Sequence, residues 1–244
     1  MGNKRPPLRV LSVDFDYFQK LPSRDILYDY PDGVDLPTSI TSAIWASHYA
    51  FGKTRENLLK VQADKEGLKH LRGLLGKCKG NEAVMVVQSH KHIYDFIMDN
   101  YICGGASSVE VYNVDMHHDM FSEKETVDCG NWAYHIKKDI KGSKIYWIAH
   151  EFSEEAYGKK PALRGKTYYD LSVLDDKEFD MIFVCRSDSW LPPHLDNEFA
   201  KLYKFMRCKF ERMMVDNQIQ KPRSWKKESN ALMKQYAEIR NFKG

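Results

Sequence analysis

The chain contains no run of 18 apolar residues, which excludes a single helix built to span a membrane. It opens MGNKRPP, without the apolar core of a secretory signal, and Pro6 stands where the myristoylation pattern requires Ser or Thr. Cysteine is sparse. Cys78, Cys103, Cys129, Cys185 and Cys208 are odd in number and far apart, and no C-x-x-C pair occurs. This argues against a disulfide framework and a structural zinc cluster, and for reduced thiols in a cytoplasmic protein. A dominant charge is lacking too. Lys and Arg total 37 against 34 Asp and Glu, a net +3, too mild for the concentrated basic face that nucleic acid demands. No internal repeat or low-complexity tract is present. No nucleic-acid or membrane partner is therefore expected.

What is present suits a single globular domain over residues 1–244, with a polar C-terminal extension at 220–244. Hydrophobic residues are 43% and charged residues 29%, enough for a sizeable core. Apolar runs of strand type occur at 8–18, 81–90, 109–115, 144–152 and 180–188. Between them, 38–51, 54–78, 91–101, 131–140 and 195–219 have helical character. Up to three weaker strands fit within 20–37 and 161–175. The run 81–90 is continuously apolar before its polar end, the mark of a strand buried on both faces, and 144–152 and 180–188 read as buried strands too, whereas 8–18 alternates, with Ser12, Asp14 and Asp16 on one side. Strands alternating with helices predict an α/β fold, a three-layer α/β/α arrangement around a mostly parallel sheet. The long loop 21–37 is of the kind that carries function. The nearby aromatics Tyr17, Phe18, Tyr28, Tyr30 and Trp45 either line a groove or enter the core. The basic segment 221–227 is either a solvated tail or a dock for an acidic leader peptide.

In open α/β sheets ligands bind beyond the carboxyl ends of the strands. Those ends carry Asp14 and Asp16; Ser89 and His90; Asp115, His117 and Asp119; His150 and Glu151; and Arg186, Ser187 and Asp188. Singly, an aspartate there is ordinarily a turn or helix cap. Together they point to a metal site. The strand period of two predicts that Asp115, His117 and Asp119 face the same way. Asp14, Asp16, His90, Asp115, His117 and Asp119 supply four carboxylates and two imidazoles. Hard oxygen donors with imidazole suit manganese ahead of zinc, and four acids balance two divalent ions. Two such ions about 3.5–4 Å apart lower the pKa of water held between them.

The run Asp115-Met116-His117-His118-Asp119 resembles the D-x-H-x-D motif of the arginase and agmatinase ureohydrolases. Ser89-His90 is similar to their isolated histidine ligand, and Ser12-Val13-Asp14-Phe15-Asp16 to their S-x-D-x-D strand. Gly130-Asn131 resembles their substrate-contacting G-N-x-H segment, with His135 displaced by two positions. In ureohydrolases the S-x-D-x-D strand follows D-x-H-x-D; here it comes first. That order resembles the small, rearranged arginase-like domains that include the peptide arginases, which turn arginine in a ribosomally made peptide into ornithine and urea. The resemblance implies an arginase-like fold, two Mn²⁺ per chain held by the six residues above, and an arginine-containing precursor peptide as partner. It further implies Asn131 at the substrate, Asp188 or Glu151 on the guanidinium, and His135, with His150 behind it, protonating the leaving amine. Competing expectations are a small-molecule ureohydrolase, a metal-dependent amide hydrolase, a haloacid-dehalogenase-type phosphatase built on Asp14 and Asp16, and a non-catalytic metal-binding module.

Overall fold

The computed structural model describes residues 6–31, 35–121, 125–157 and 165–241. The first five residues, and 32–34 and 161–164 of the two segments expected to hold weak strands, lie outside them. Seven strands form one parallel sheet: β1 (Leu8–Asp14), β4 (Ala83–Val87), β5 (Val109–Asp115), β6 (Lys144–Ala149), β7 (Thr167–Tyr168), β8 (Met181–Cys185) and β9 (Met213–Val215). Their order is β7-β6-β5-β1-β8-β4-β9, with β1 at the centre. A two-stranded ribbon, β2 (Gln19–Lys20) with β3 (Gln62–Ala63), stands apart.

Side-chain alternation builds two cores, one on each face. Leu11, Val13, Ile182 and Val184 pack with helices α3 (Lys65–Lys77) and α7 (Asp196–Lys209). Val10, Val111, Met181 and Phe183 pack with α4 (His92–Gly104) and α5 (Trp132–Asp139). The result is the expected three layers. α3 shows why a segment folds as it does. Leu68, Leu71, Leu74 and Leu75 recur on one face and are buried, each contributing about 1.5–3 kcal/mol. Asp64 caps its start by accepting from Gly67 N at 3.1 Å. α4 ends at Gly105, whose φ of 60° is the left-handed conformation a helix C-terminus favours.

Four local expectations change. The single helix expected over 54–78 is two, α2 (Gly52–Leu58) and α3, separated by β3. The helix expected over 195–219 stops at Lys209 and gives way to β9, which pairs with β4 at the sheet edge. Apolar Met213 to Val215 is short enough to read as either type, and pairing decided it. The polar extension 220–244 suggests at most a short terminal helix; α8 (Lys226–Asn241) is longer and packs on α1 (Thr38–Ala50). The basic segment before it is no solvated tail. Arg223 and Trp225 are buried, and Arg223 binds Asp196 through paired hydrogen bonds.

Three of the five aromatics near the long loop go to the core. Phe18, Tyr30 and Trp45 are buried, Tyr17 is half-buried, and Tyr28 is 76% exposed. Among the described residues, no helix is long and apolar enough to cross a membrane.

Candidate metal centre

The chain runs outward from the central β1 to β4, returns across it to β5, β6 and β7, then crosses back to β8 and β9. This reversal opens a crevice at the carboxyl ends of the strands, the position where α/β sheets hold ligands. All six expected metal ligands arrive there and all are buried. They form two overlapping sets. In one, ligand atoms of Asp14, His90 and Asp115 lie within 4.8 Å of one another; in the other, those of Asp16, Asp115 and His117 do. Asp115 belongs to both. Its Oδ2 is 3.1 Å from His90 Nδ1 and its Oδ1 is 3.5 Å from His117 Nδ1. Asp16 Oδ2 lies 3.1 Å from His117 Nδ1. Asp119 Oδ2 is 3.2 Å from His90 Nδ1 and joins the first set from the side.

The convergence is not produced by strand alternation alone. β5 ends at Asp115, and the following residues bend. His117 N donates to Asp115 Oδ1 at 2.7 Å, and Asp119 takes a left-handed φ of 54°. Likewise β1 ends at Asp14, and Asp16 sits in a 3-10 turn whose start is capped when Asp14 Oδ1 accepts from Asp16 N. Short acidic side chains that bond their own backbone make such turns, so these aspartates shape the loops that carry them. His90 reaches the cluster from β4, two strands away from β1. Its ring stacks on Phe183 of the intervening β8, 5.5 Å between centroids at 12°. Ser12 Oγ holds its Nε2 at 2.8 Å, leaving Nδ1 toward the carboxylates.

The electrostatics show a cluster that calls for a cation. Burial, with the Asp16 and Asp115 charges, pushes the Asp14 carboxyl up to about 7. Burial and Asp115 also raise Asp16 and, more strongly, Asp119. Burial would raise Asp115, but the His117 and His90 imidazoles beside it outweigh burial and hold it, alone of the four, below the usual range. Burial lowers the His90 imidazole, but Asp119, Asp115 and Asp14 outweigh it and hold it well above its usual value. Four carboxylates this close cannot all ionise without positive charge between them. Two buried atoms confirm the fit for metal. His90 Nδ1, within 3.3 Å of three carboxylates, makes no hydrogen bond, and neither does Asp16 Oδ2. The donors are oxygen and imidazole nitrogen, as a hard or borderline divalent ion requires. Cys129 lines the same cavity but belongs to neither set, and burial with the Asp35, Asp119 and Asp128 charges raises its thiol pKa.

A supporting ring fixes the ligands. Trp132 Nε1 donates to Asp119 Oδ2 at 2.5 Å, and Asn113 Nδ2 to Asp115 Oδ2 at 3.2 Å. Above the ligands is a cavity of about 440 Å³. Its wall includes Asp14, His90, His117 and Asp119, with Asp35, Gln88, Asp128, Ser187, Asp188, Phe121 and Trp190. Ser187 has a φ of 61°, backbone strain of a kind concentrated at functional sites.

The residues expected to handle substrate fare differently. Asp188 lines the cavity, but Arg186 grips both its oxygens at 2.5 and 2.9 Å and Thr38 Oγ1 donates to Oδ2 at 2.6 Å. Glu151 is exposed and does not line the cavity. His150 Nε2 lies 2.8 Å from Gln19 O and its Nδ1 accepts from Phe152 N, so its ring ties backbone segments together. Asn131 is fully buried and staples its own loop, accepting from Asp128 N and donating to Thr126 O. His135 is buried on α5 beside Tyr94 and Tyr134 and is also outside the cavity wall. Sequence reasoning did not single out Asp35, Gln88, Phe121, Trp132 or Trp190. Only the length of the 21–37 loop pointed toward Asp35; the others carry no local signal.

No family model, no curated protein and no solved structure matches this chain.

Proposed function

We propose that the chain is a dimanganese hydrolase that converts arginine side chains in a peptide to ornithine, releasing urea. The observation that carries this reading is the double engagement of Asp115, one oxygen toward each of two ligand sets. A shared carboxylate is what binds two ions as a unit rather than as two separate sites. Asp14, His90 and Asp115 would hold one ion, with Asp119 beside it; Asp16, Asp115 and His117 would hold the other. Manganese follows from the oxygen-rich donor set. When bound, a pair of divalent ions supplies Lewis acidity and water of lowered pKa at neutral pH.

The reaction needs such help because a guanidinium is resonance-stabilised. Water adds to its central carbon Cζ, the Cζ–Nε bond breaks, and a proton goes to the departing amine. A guanidinium cation and water thus yield an ammonium and neutral urea. The chain's own contribution is to hold and align. Ser12 orients His90, Trp132 orients Asp119, and Asn113 steadies Asp115. Phe121 and Trp190 place apolar surface at the cavity wall, limiting bulk water. The motif order shared with peptide arginases favours a peptide over a free amino acid. The cavity wall supports this preference: among the described residues it has no Lys or Arg to grip an amino acid's carboxylate.

The test is mass spectrometry of an arginine-containing peptide incubated with the manganese-loaded protein. Free arginine, agmatine and an acetyl-lysyl peptide are run alongside. Hydrolysis removes CH₂N₂, about 42 Da per arginine, and releases urea. Acetate from the acetyl-lysyl peptide, with no urea from any guanidine, would overturn the proposal in favour of an amide hydrolase.

A further inference from the structure

We infer that Asp35 and Gln88 form the subsite that reads the cationic end of the substrate. The inference rests on the hydrolase reading above and assigns the part it leaves open. The sequence offers Asp188 and Glu151 for this task, but Arg186 already neutralises the first and the second is outside the cavity.

Asp35 lies in the loop before α1 and reaches the cavity wall. Ser89 Oγ donates to its Oδ2 at 2.5 Å, which docks the carboxylate directly beside the ligand His90. Among the described residues no hydrogen bond reaches its Oδ1. Lys91 Nζ is 3.9 Å from Oδ2, but its side chain is 43% exposed, and an ion pair so hydrated leaves most of the carboxylate's demand for a cation unmet. Gln88, one residue before Ser89, is the independent sign of a ligand. It lines the same cavity, is 7% exposed, and its buried Oε1 has no hydrogen-bond partner. A buried acceptor without a donor is costly to keep, so a ligand that brings N–H groups is the group it suits.

The chemistry of the wall then selects the ligand class. A carboxylate and an amide oxygen both accept, and among the described residues no cationic side chain lines the cavity. A guanidinium offers five N–H donors and a positive charge in one plane. Trp190 and Phe121 add aromatic faces, to which such a plane is attracted. A neutral urea-type group, as in citrulline, would set an oxygen against these acceptors and be rejected.

The experiment measures calorimetric binding of an arginyl peptide and its citrullyl counterpart to the manganese-loaded full chain, with urea release followed on the same samples. The wild-type protein is expected to prefer the arginyl peptide. Asp35→Asn should weaken arginyl binding about ten- to hundredfold. It should leave citrullyl binding and the manganese content unchanged. Asp35→Glu should restore part of the preference. Gln88→Leu, which keeps volume and removes the acceptor, should also weaken arginyl binding and gives a second reading should Asp35→Asn fail to fold. Arginyl binding as tight in both Asp35→Asn and Gln88→Leu as in wild type overturns the subsite, as does a wild-type protein with no preference. Urea release by the wild type, with an unchanged KM in both variants, removes the subsite and leaves the hydrolase. A preference that Asp35→Asn abolishes, with no urea from any sample, supports the subsite and removes the hydrolase.

Discussion

Replacing Asp115 by Asn should remove both metal ions at once, whereas replacing Asp16 by Asn should remove one. Asparagine keeps the shape of Asp115 and its place among Asn113, His90 and His117, but not the charge its two oxygens carry toward the two ligand sets. Asp16 touches only the set with His117. The size of the effect follows from mass action. An ion present at 100 times its Kd stabilises the folded chain by about 2.7 kcal/mol, so two give roughly 5 kcal/mol. For a chain of this length each kcal/mol moves the melting temperature by about 2–4 °C. Manganese should then raise the Tm of the wild-type protein by roughly 10–20 °C over a chelated sample. It should raise Asp16→Asn by about half of that, and Asp115→Asn by almost nothing. The assay is calorimetric melting with and without manganese, paired with metal analysis of the dialysed protein. If Asp115→Asn keeps one ion and half of the thermal shift, the two sets do not share it and the bridging argument is wrong.

Three further outcomes follow from the same geometry. Asp14 titrates near 7 because burial and the Asp16 and Asp115 charges raise it. The folded, chelated protein therefore holds more protons than the unfolded chain between pH 4 and 7, so its stability falls as pH rises through that window. Manganese competes with those protons, so its affinity should rise over the same window, with proton release visible as buffer-dependent heats; an affinity flat from pH 5.5 to 8 would contradict this. Trp132→Phe removes the N–H that holds Asp119 Oδ2 and should weaken manganese binding about 10–100-fold with the fold intact by circular dichroism; unchanged affinity would make the contact incidental. Arg223→Ala takes the guanidinium from buried Asp196, leaving it the backbone N–H at 223 and Arg186 Nη1 at 3.8 Å, and frees the Leu191 carbonyl, while that of Asp188 keeps Trp45 Nε1. It should cost about 3–5 kcal/mol, read as a lower urea midpoint, and a loss under 1 kcal/mol would show that the carboxyl-terminal segment is not what holds the 188–191 loop.

The sequence by itself determined the layered α/β class and the six candidate ligands. Strands buried on both faces are apolar along most of their length, so a carboxylate at the carboxyl end stands out, as Asp14 after LRVLSV and Asp115 after VEVYNV do. Local chemistry was equally open to reading: aspartates at such ends bend the chain by accepting from their own backbone. What only the tertiary structure decided is which groups share a space. Apolar Met213 to Val215 became an edge strand because β4 offered it a partner. Asp188 and Glu151 looked equivalent in sequence, but Arg186 neutralises the first and the second is exposed outside the cavity. Asp35 is more than fifty residues from His90 and carries no motif; the fold brings them together through Ser89. Side-chain periodicity is a property of neighbours along the chain, so it reports which residues end a strand. Charge pairing and cavity lining depend on contacts between distant segments, and the order β5-β1-β8-β4 is what placed a histidine from one side of the sheet against aspartates from its centre.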